Sequence, residues 1–219
     1  VRVVEVPLLE DFSVNLDKVL AARELSKMIF ICSPNNPTGE SVSAEVIEAI
    51  ADGYQGVVVV DEAYVDFSNQ DSALRLLGRE NVVVVQTMSK AWGLAGIRLG
   101  VLYGNPEIVN VLNKIKPPYN VNAVTQRIAL EALKNKKQKE AWVKAVLLQK
   151  EVLLLALQRI EWVLKVFRSD ANFILFKVEQ PNELYEFLAQ QGVVIRNRSQ
   201  VRGCEGCLRV SVGTMEENV

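Results

Sequence analysis

Four short stretches of this chain hold side chains whose types and spacing allow chemistry. In Thr87-Met-Ser-Lys90 a lysine follows two hydroxyl residues at the end of the apolar run Val82–Gln86. An amine in that setting suits covalent addition to a carbonyl. The hydroxyls of Thr87 and Ser89, with the guanidinium of Arg98 in Gly96-Ile-Arg-Leu-Gly100, would make a cradle for a phosphate group. Asp61 closes the run Val57–Val60, and a carboxylate there can pair with the protonated ring nitrogen of a heteroaromatic cofactor. Tyr64 offers a phenol three residues on, and Asn36 in Asn35-Asn-Pro-Thr-Gly39 offers an amide donor to a cofactor oxygen. Read singly, each has an ordinary alternative: an exposed lysine after a strand, an acid capping a turn, an Asn-Pro turn. Glu62, beside Asp61, is expected to point away from such a site.

Composition narrows the chemistry. Histidine is absent, which excludes Ser-His-Asp and Cys-His arrangements and every His-ligated metal. Cys204 and Cys207 have the spacing of half a zinc knuckle, but Cys32 is the one further thiol, so no metal is expected. Three cysteines are too few for a disulfide scaffold and point to a reducing, cytoplasmic setting. A net charge of −1 supplies no basic excess to neutralise phosphates, so nucleic acid is not an expected partner. The longest apolar run, Val152–Leu157, falls far short of the roughly 18 residues that cross a bilayer, and no membrane partner is expected.

The elements that must position these residues follow from the hydrophobic pattern. Met28–Cys32, Val57–Val60 and Val82–Gln86 are continuous apolar runs, the mark of strands buried on both faces, with a fourth strand over 99–103. Val1–Val6 alternates like a strand as far as Pro7. Asn15 and Ser43 can cap helices over 16–22 and 44–51, the second ended by Gly53. Further helices are expected over 106–115, 123–133 and 139–159, and the lysines between 134 and 139 read as a solvated helix end. Beyond them, strands over 163–167, 173–178, 193–196 and 208–212 with a helix over 182–190 form a smaller α+β unit. The expected fold class is α/β with a mainly parallel sheet. Residues 1–137 form a large domain and 138–219 a small one containing the long connecting helix. Three first-domain strands end at polar signals, and in open α/β sheets ligands bind beyond the carboxyl ends of strands, so the three should converge.

Ser33-Pro-Asn-Asn-Pro-Thr-Gly39, Asp61-Glu-Ala-Tyr64, Thr87-Met-Ser-Lys90 and Gly96-Ile-Arg-Leu-Gly100, in this order and spacing, resemble the pyridoxal-phosphate aminotransferases of fold type I. The resemblance covers essentially the whole chain. It implies pyridoxal 5′-phosphate as cofactor, with Lys90, Asp61 and Tyr64 as the catalytic set. Lys90 would form the imine link and carry the substrate Cα proton, and Asp61 would hold the pyridinium. Asn36 and Tyr64 would contact the 3′-oxygen, and Thr87, Ser89 and Arg98 the phosphate. Arg209 matches the arginine that clamps a substrate carboxylate, with Asn36 beside it, and Trp92 is expected near the pocket mouth.

Two further stretches, Lys116-Pro-Pro-Tyr-Asn-Val-Asn122 and Val194-Ile-Arg-Asn-Arg198, resemble histidinol-phosphate aminotransferases in particular. That resemblance makes Arg196 the candidate for a substrate phosphate. It implies transfer of an amino group from L-histidinol phosphate to 2-oxoglutarate, in histidine biosynthesis, by a cytoplasmic homodimer acting on small molecules. Aromatic amino acid aminotransferases and the threonine-phosphate decarboxylase share much of the same pattern. Members of the family also carry a segment before the first strand, with a phosphate-binding turn, an aromatic that stacks on the cofactor and a tyrosine that crosses the dimer. None of these is assignable in residues 1–219, so a catalytically incomplete piece is expected, with poor activity on its own.

Overall fold

In the computed structural model, which describes residues 1–218, four strands build the first sheet: β1 (Met28–Cys32), β2 (Val57–Asp61), β3 (Val82–Thr87) and β4 (Gly100–Gly104), in that order. The first three are parallel, and β4 returns antiparallel to β3. Their valine and isoleucine side chains favour the pleated backbone. Ile29, Ile31, Val58, Val60, Val82 and Val84 share one face, packed on helices α1 (Leu16–Arg23) and α2 (Ala44–Ala51) through Val19, Ile47 and Ile50. Both helices start where their caps require: the Asn15 side chain accepts from the Lys18 amide and the Ser43 side chain from that of Val46.

Two strand expectations are corrected. β1 is not buried on both faces: Met28 and Phe30 are 50% and 70% exposed, because they point opposite to Ile29 and Ile31, on a face that is covered at Val59 and Val83 but not as far out as β1. Residues 1–9 form no strand, since alternation supplies a face but no described strand runs alongside to complete the hydrogen bonds.

Helices α3 (Pro106–Ile115), α4 (Ala123–Lys134) and the long α5 (Lys136–Gln158) lead to a second, wholly antiparallel sheet. It contains β5 (Val163–Val166), β6 (Phe173–Val178), β7 (Arg196–Asn197) and β8 (Cys207–Ser211), in the order β5-β6-β8-β7. Helix α6 (Pro181–Gln190) and the end of α5 cover it, with Leu157, Ile174, Phe176, Ile195 and Leu208 in the core. β7 starts at Arg196 rather than at Val193. The Val193 amide still donates to Leu188 O at 2.9 Å, so the chain is turning off α6 where a strand was expected. Among the described residues no helix is long and apolar enough to cross a membrane.

Candidate active site

The parallel register brings the strand ends together. Cys32 pairs with Asp61, and Asp61 with Val85, so Ser33, Asp61 and Thr87 emerge along one edge. The Ser33 amide donates to Asp61 O at 2.9 Å, extending the ladder into the loop that carries Asn36. A cleft of about 400 Å³ lies there, lined by Asp61, Ala63, Gln86, Thr87, Ser89, Lys90 and Arg98 among others. A larger depression, about 640 Å³, is an open trough along α4 between Ala123 and Lys134, where the lysine is already paired with Glu131 at 2.7 Å on exposed helix surface and no strand end contributes a side chain. The smaller cleft is therefore the chemical one.

Within it the polar groups are held but not consumed. Asp61 Oδ1 accepts from the Ala63 amide at 3.0 Å, which fixes the carboxylate at the mouth of β2. Thr87 Oγ1 donates to Ser89 Oγ at 3.0 Å and accepts from the Ser89 amide at 3.1 Å, so the two hydroxyls stand side by side. Arg98 has φ +54°, a left-handed conformation that costs an arginine about 1–2 kcal/mol and that persists where the surroundings enforce it. Its guanidinium makes one bond, to Ala95 O at 3.0 Å, and no carboxylate among the described residues pairs with it. The Lys90 ammonium is exposed and faces the Tyr64 ring, 5.2 Å from the centroid.

The second sheet supplies the other wall. Arg209 on β8 donates from Nη1 to Asn36 Oδ1 at 2.6 Å, across 173 residues of sequence. Its guanidinium carbon lies 4.7 Å over the Phe173 ring, and Phe173 in turn meets Tyr64 edge-on at 5.2 Å. Burial pushes the Arg209 guanidinium below its ordinary value, with the Tyr64 phenol opposing that shift and Arg198 and Arg196 adding to it. Arg196 is exposed on β7 as the cross-strand partner of Arg209, and no described carboxylate pairs with either. Asp61, Thr87, Ser89, Lys90 and Arg98 therefore line the cleft, Asn36 and Tyr64 connect it to Arg209 and Phe173, and Arg196 stands on the strand beside Arg209.

Gly39 joins the two walls. It has φ +85°, and a Cβ there would fall 2.4 Å from Ser169 Oγ and 3.0 Å from Ser169 Cα. Gly39 O accepts from the Asp170 amide at 2.8 Å. Gly39→Ala should destabilise the chain by about 1–3 kcal/mol, from overpacking combined with an unfavourable φ. Urea unfolding would read that loss as a lowered midpoint.

A family model, aminotransferase class I and II, matches residues 1–219. The chain belongs to that family. A histidinol-phosphate aminotransferase of Cytophaga hutchinsonii is 46% identical over 220 residues, covering 100% of this chain and 63% of the relative. One from Flavobacterium johnsoniae is 47% identical over 216 residues, covering 98% of this chain and 62% of the relative. The chain thus spans less than two thirds of the length of these curated relatives. The fold also superposes on the histidinol-phosphate aminotransferase of Sinorhizobium meliloti solved with pyridoxal-5′-phosphate. There the TM-score is 0.84 at 23% identity, over 99% of this chain and 61% of that one.

The aminotransferase family implies pyridoxal phosphate, and the residues present fit it. An anion cradle of paired hydroxyls and a left-handed arginine, an unpaired lysine and a fixed carboxylate share one cleft of suitable size. Other side chains lie outside the cleft. Glu62 does turn from the cleft, but into the core. It accepts from Ser72 Oγ at 2.7 Å, the Ala73 amide at 2.5 Å and Gln86 Nε2 at 2.8 Å, and so ties β2 to β3 from behind. Trp92 turns toward α5, where Lys139 Nζ sits 5.3 Å from its ring. Lys139 is accordingly not part of a solvated helix end. Lys150, likewise on α5, is buried, and burial pushes its ammonium below the ordinary lysine value. Cys204 and Cys207 are buried beside Phe12 and Leu175, and burial pushes Cys207 up to about 11. Phe173, the platform under Arg209, had a sequence signal only as a strand residue.

Proposed function

We propose that this chain carries the cofactor lysine and the anion-binding wall of a transaminase that uses pyridoxal phosphate, L-histidinol phosphate and 2-oxoglutarate, giving imidazole acetol phosphate and L-glutamate. The observation that carries the reading is the pair Arg196 and Arg209, facing each other across β7 and β8 without a carboxylate partner among the described residues, beside the Lys90 cleft. A phosphate dianion on one substrate and carboxylates on the other need such a wall in turn. The name shared by the relatives from Cytophaga and Flavobacterium supports the same choice.

Bound pyridoxal phosphate supplies the electron sink for the pair released at Cα. Thr87, Ser89 and Arg98 would hold its phosphate, Asp61 its ring nitrogen, and Asn36 and Tyr64 its phenolic oxygen. Asn36 Oδ1 is engaged by Arg209, which leaves the amide NH₂ to donate. Lys90 Nζ would anchor the cofactor and then take and return the Cα proton. Arg209, stacked on Phe173, would orient the substrate anion so that the Cα–H bond stands across the ring. Residues 1–137 would form the cofactor domain and 138–219 the substrate-closing one. A cytoplasmic homodimer belongs to the same reading, and association between copies is supported by apolar side chains such as Val111, Ile115 and Leu130, more than half exposed on α3 and α4.

The test is a panel of amino donors with 2-oxoglutarate, scoring glutamate and carbon dioxide. Glutamate formation preferring histidinol phosphate supports the assignment. A preference for aromatic amino acids, or carbon dioxide from phosphothreonine, replaces it. In a full-length background, Arg196→Ala should weaken histidinol phosphate by about 1.5–3 kcal/mol, roughly tenfold to a hundredfold, and glutamate far less. Equal losses for both would make Arg196 a structural residue.

A further inference from the structure

Helix α5 carries two lysines withdrawn from water, and they share one side of it. Lys139 and Lys150 are eleven residues apart, about three helical turns. Between them Val143, Val146 and Leu147 continue the stripe, packed on Tyr64, Phe67, Ala91 and Phe173. At one end Lys139 Nζ lies 2.6 Å from Asp66 Oδ1 and over Trp92, with its side chain 13% exposed. Asp66 sits in the 3₁₀ turn Val65–Phe67, directly after Tyr64, and Trp92 is two residues beyond Lys90. One ammonium therefore ties together the loops that carry Tyr64 and Lys90, by an ion pair and a cation–π contact.

At the other end Lys150 Nζ donates to Ser169 O at 2.7 Å and Ala171 O at 3.0 Å. That loop also holds Gly39 through Asp170, and it runs directly into Phe173, on which Arg209 stacks. Neither lysine lines the cleft. We propose that α5 sets the spacing between the lysine half and the arginine half of the site, with Lys139 and Lys150 as its positioning residues. The ion pair is largely shielded, so removing Lys139 strands Asp66 and frees the Trp92 ring to turn. Lys90 would then lose its set relation to Tyr64, and displacements of about 1 Å at a reacting group cost up to about a hundredfold in rate.

The kinetic part of this inference rests on the transaminase reading, but its first readout needs no substrate. The full chain, loaded with pyridoxal phosphate, is treated with borohydride, and the rate of covalent trapping at Lys90 is followed by peptide mapping. Lys139→Met should slow trapping and lower kcat for the working amino donor by about tenfold or more, with the donor KM changing less. Lys139→Arg, which keeps charge and reach, should recover most of both. Lys150→Met should instead weaken binding of the oxo acid acceptor, read as a raised KM, since it releases the loop behind Arg209. Where Lys139→Met does not fold, Asp66→Asn, which keeps the shape of the side chain, should show an intermediate slowing. Trapping by Asp66→Asn or Lys139→Met at the parental rate overturns the proposal. So does a lowered melting temperature with kcat per folded molecule unchanged. Normal trapping trends without any histidinol-phosphate turnover would instead overturn the substrate assignment alone.

Discussion

A Lys90→Ala chain is expected to fold, to bind pyridoxal phosphate without a covalent bond, and to lose transamination by at least about 10²–10⁴-fold. Folding should survive because the Lys90 side chain is exposed and supports no described hydrogen bond or ion pair. The loop around it is set by backbone bonds instead: Met88 N to Leu99 O at 3.1 Å, Leu94 N to Met88 O at 3.0 Å, and Gly93 N to Lys90 O at 2.9 Å. Gly93 takes φ +66° to close that turn, so the backbone path does not depend on which side chain stands at position 90. The loss of activity should be large because one amine serves both as the covalent anchor and as the proton carrier, and its removal deletes both at once. The check is borohydride reduction of the loaded parent chain, then peptide mapping. The label should fall on Lys90 and vanish in Lys90→Ala. A label on another lysine, such as buried Lys150, would remove Lys90 from the catalytic role.

Much of the large sheet could be read directly, because its strands are runs of β-branched residues that end at polar residues. Val57–Val60 needs no partner to be recognised as a strand, and Asp61 marks its end. The cleft was legible for the same reason: parallel strands put their carboxyl ends on one edge, so Asn36, Asp61 and Lys90 had to meet. Pattern alone could not say what lies on the far side of a strand. Met28 and Phe30 have the composition of a buried face, but burial depends on a covering layer, and the run carries no record of one. Val193 and Val194 failed differently. Their apolar, β-branched character suggests strand, while the local bond from the Val193 amide to α6 holds them in a turn.

Lysines were the least legible class. The stretch from Lys134 to Lys139 is strongly cationic in sequence, yet its members meet different fates. Lys134 and Lys136 pair with Glu131 and Glu140 on exposed helix surface, where such pairs contribute little. Lys139, a turn further on, comes under the Tyr64 turn and pairs with Asp66, 73 residues away. Nothing local separates these cases. Helical phase puts Lys139 on the stripe of Val143, Val146 and Lys150 and Lys137 off it, but Lys136, seven residues before Val143, shares that phase, so only the distant partner Asp66 sets Lys139 apart from it.

Arg209→Lys should weaken substrate binding, although charge is conserved. Three features of Arg209 depend on the planar guanidinium. It stacks on Phe173 at 4.7 Å, it gives one N–H to Asn36 at 2.6 Å, and its remaining outward N–H groups are left as a fork for a carboxylate or phosphate. A lysine carries a compact ammonium with no plane to lie along the ring, so at most one of the two tasks, holding Asn36 or holding substrate, can be met in good geometry. Loss of a bidentate, charge-assisted contact costs about 1.5–3 kcal/mol, and a further loss in orientation of the Cα–H bond should appear in kcat. The expected result is weaker binding of glutamate and of 2-oxoglutarate, each with KM raised roughly tenfold to a hundredfold, together with a lower kcat. Asn36 should show its dependence on the same contact: Asn36→Ala leaves Arg209 without an acceptor and should also weaken 2-oxoglutarate. If the two residues act as one unit, the double variant is little worse than Arg209→Lys alone. Additive losses would show instead that Arg209 and Asn36 serve separate groups, and the clamp assignment would fall to Arg196 on the neighbouring strand.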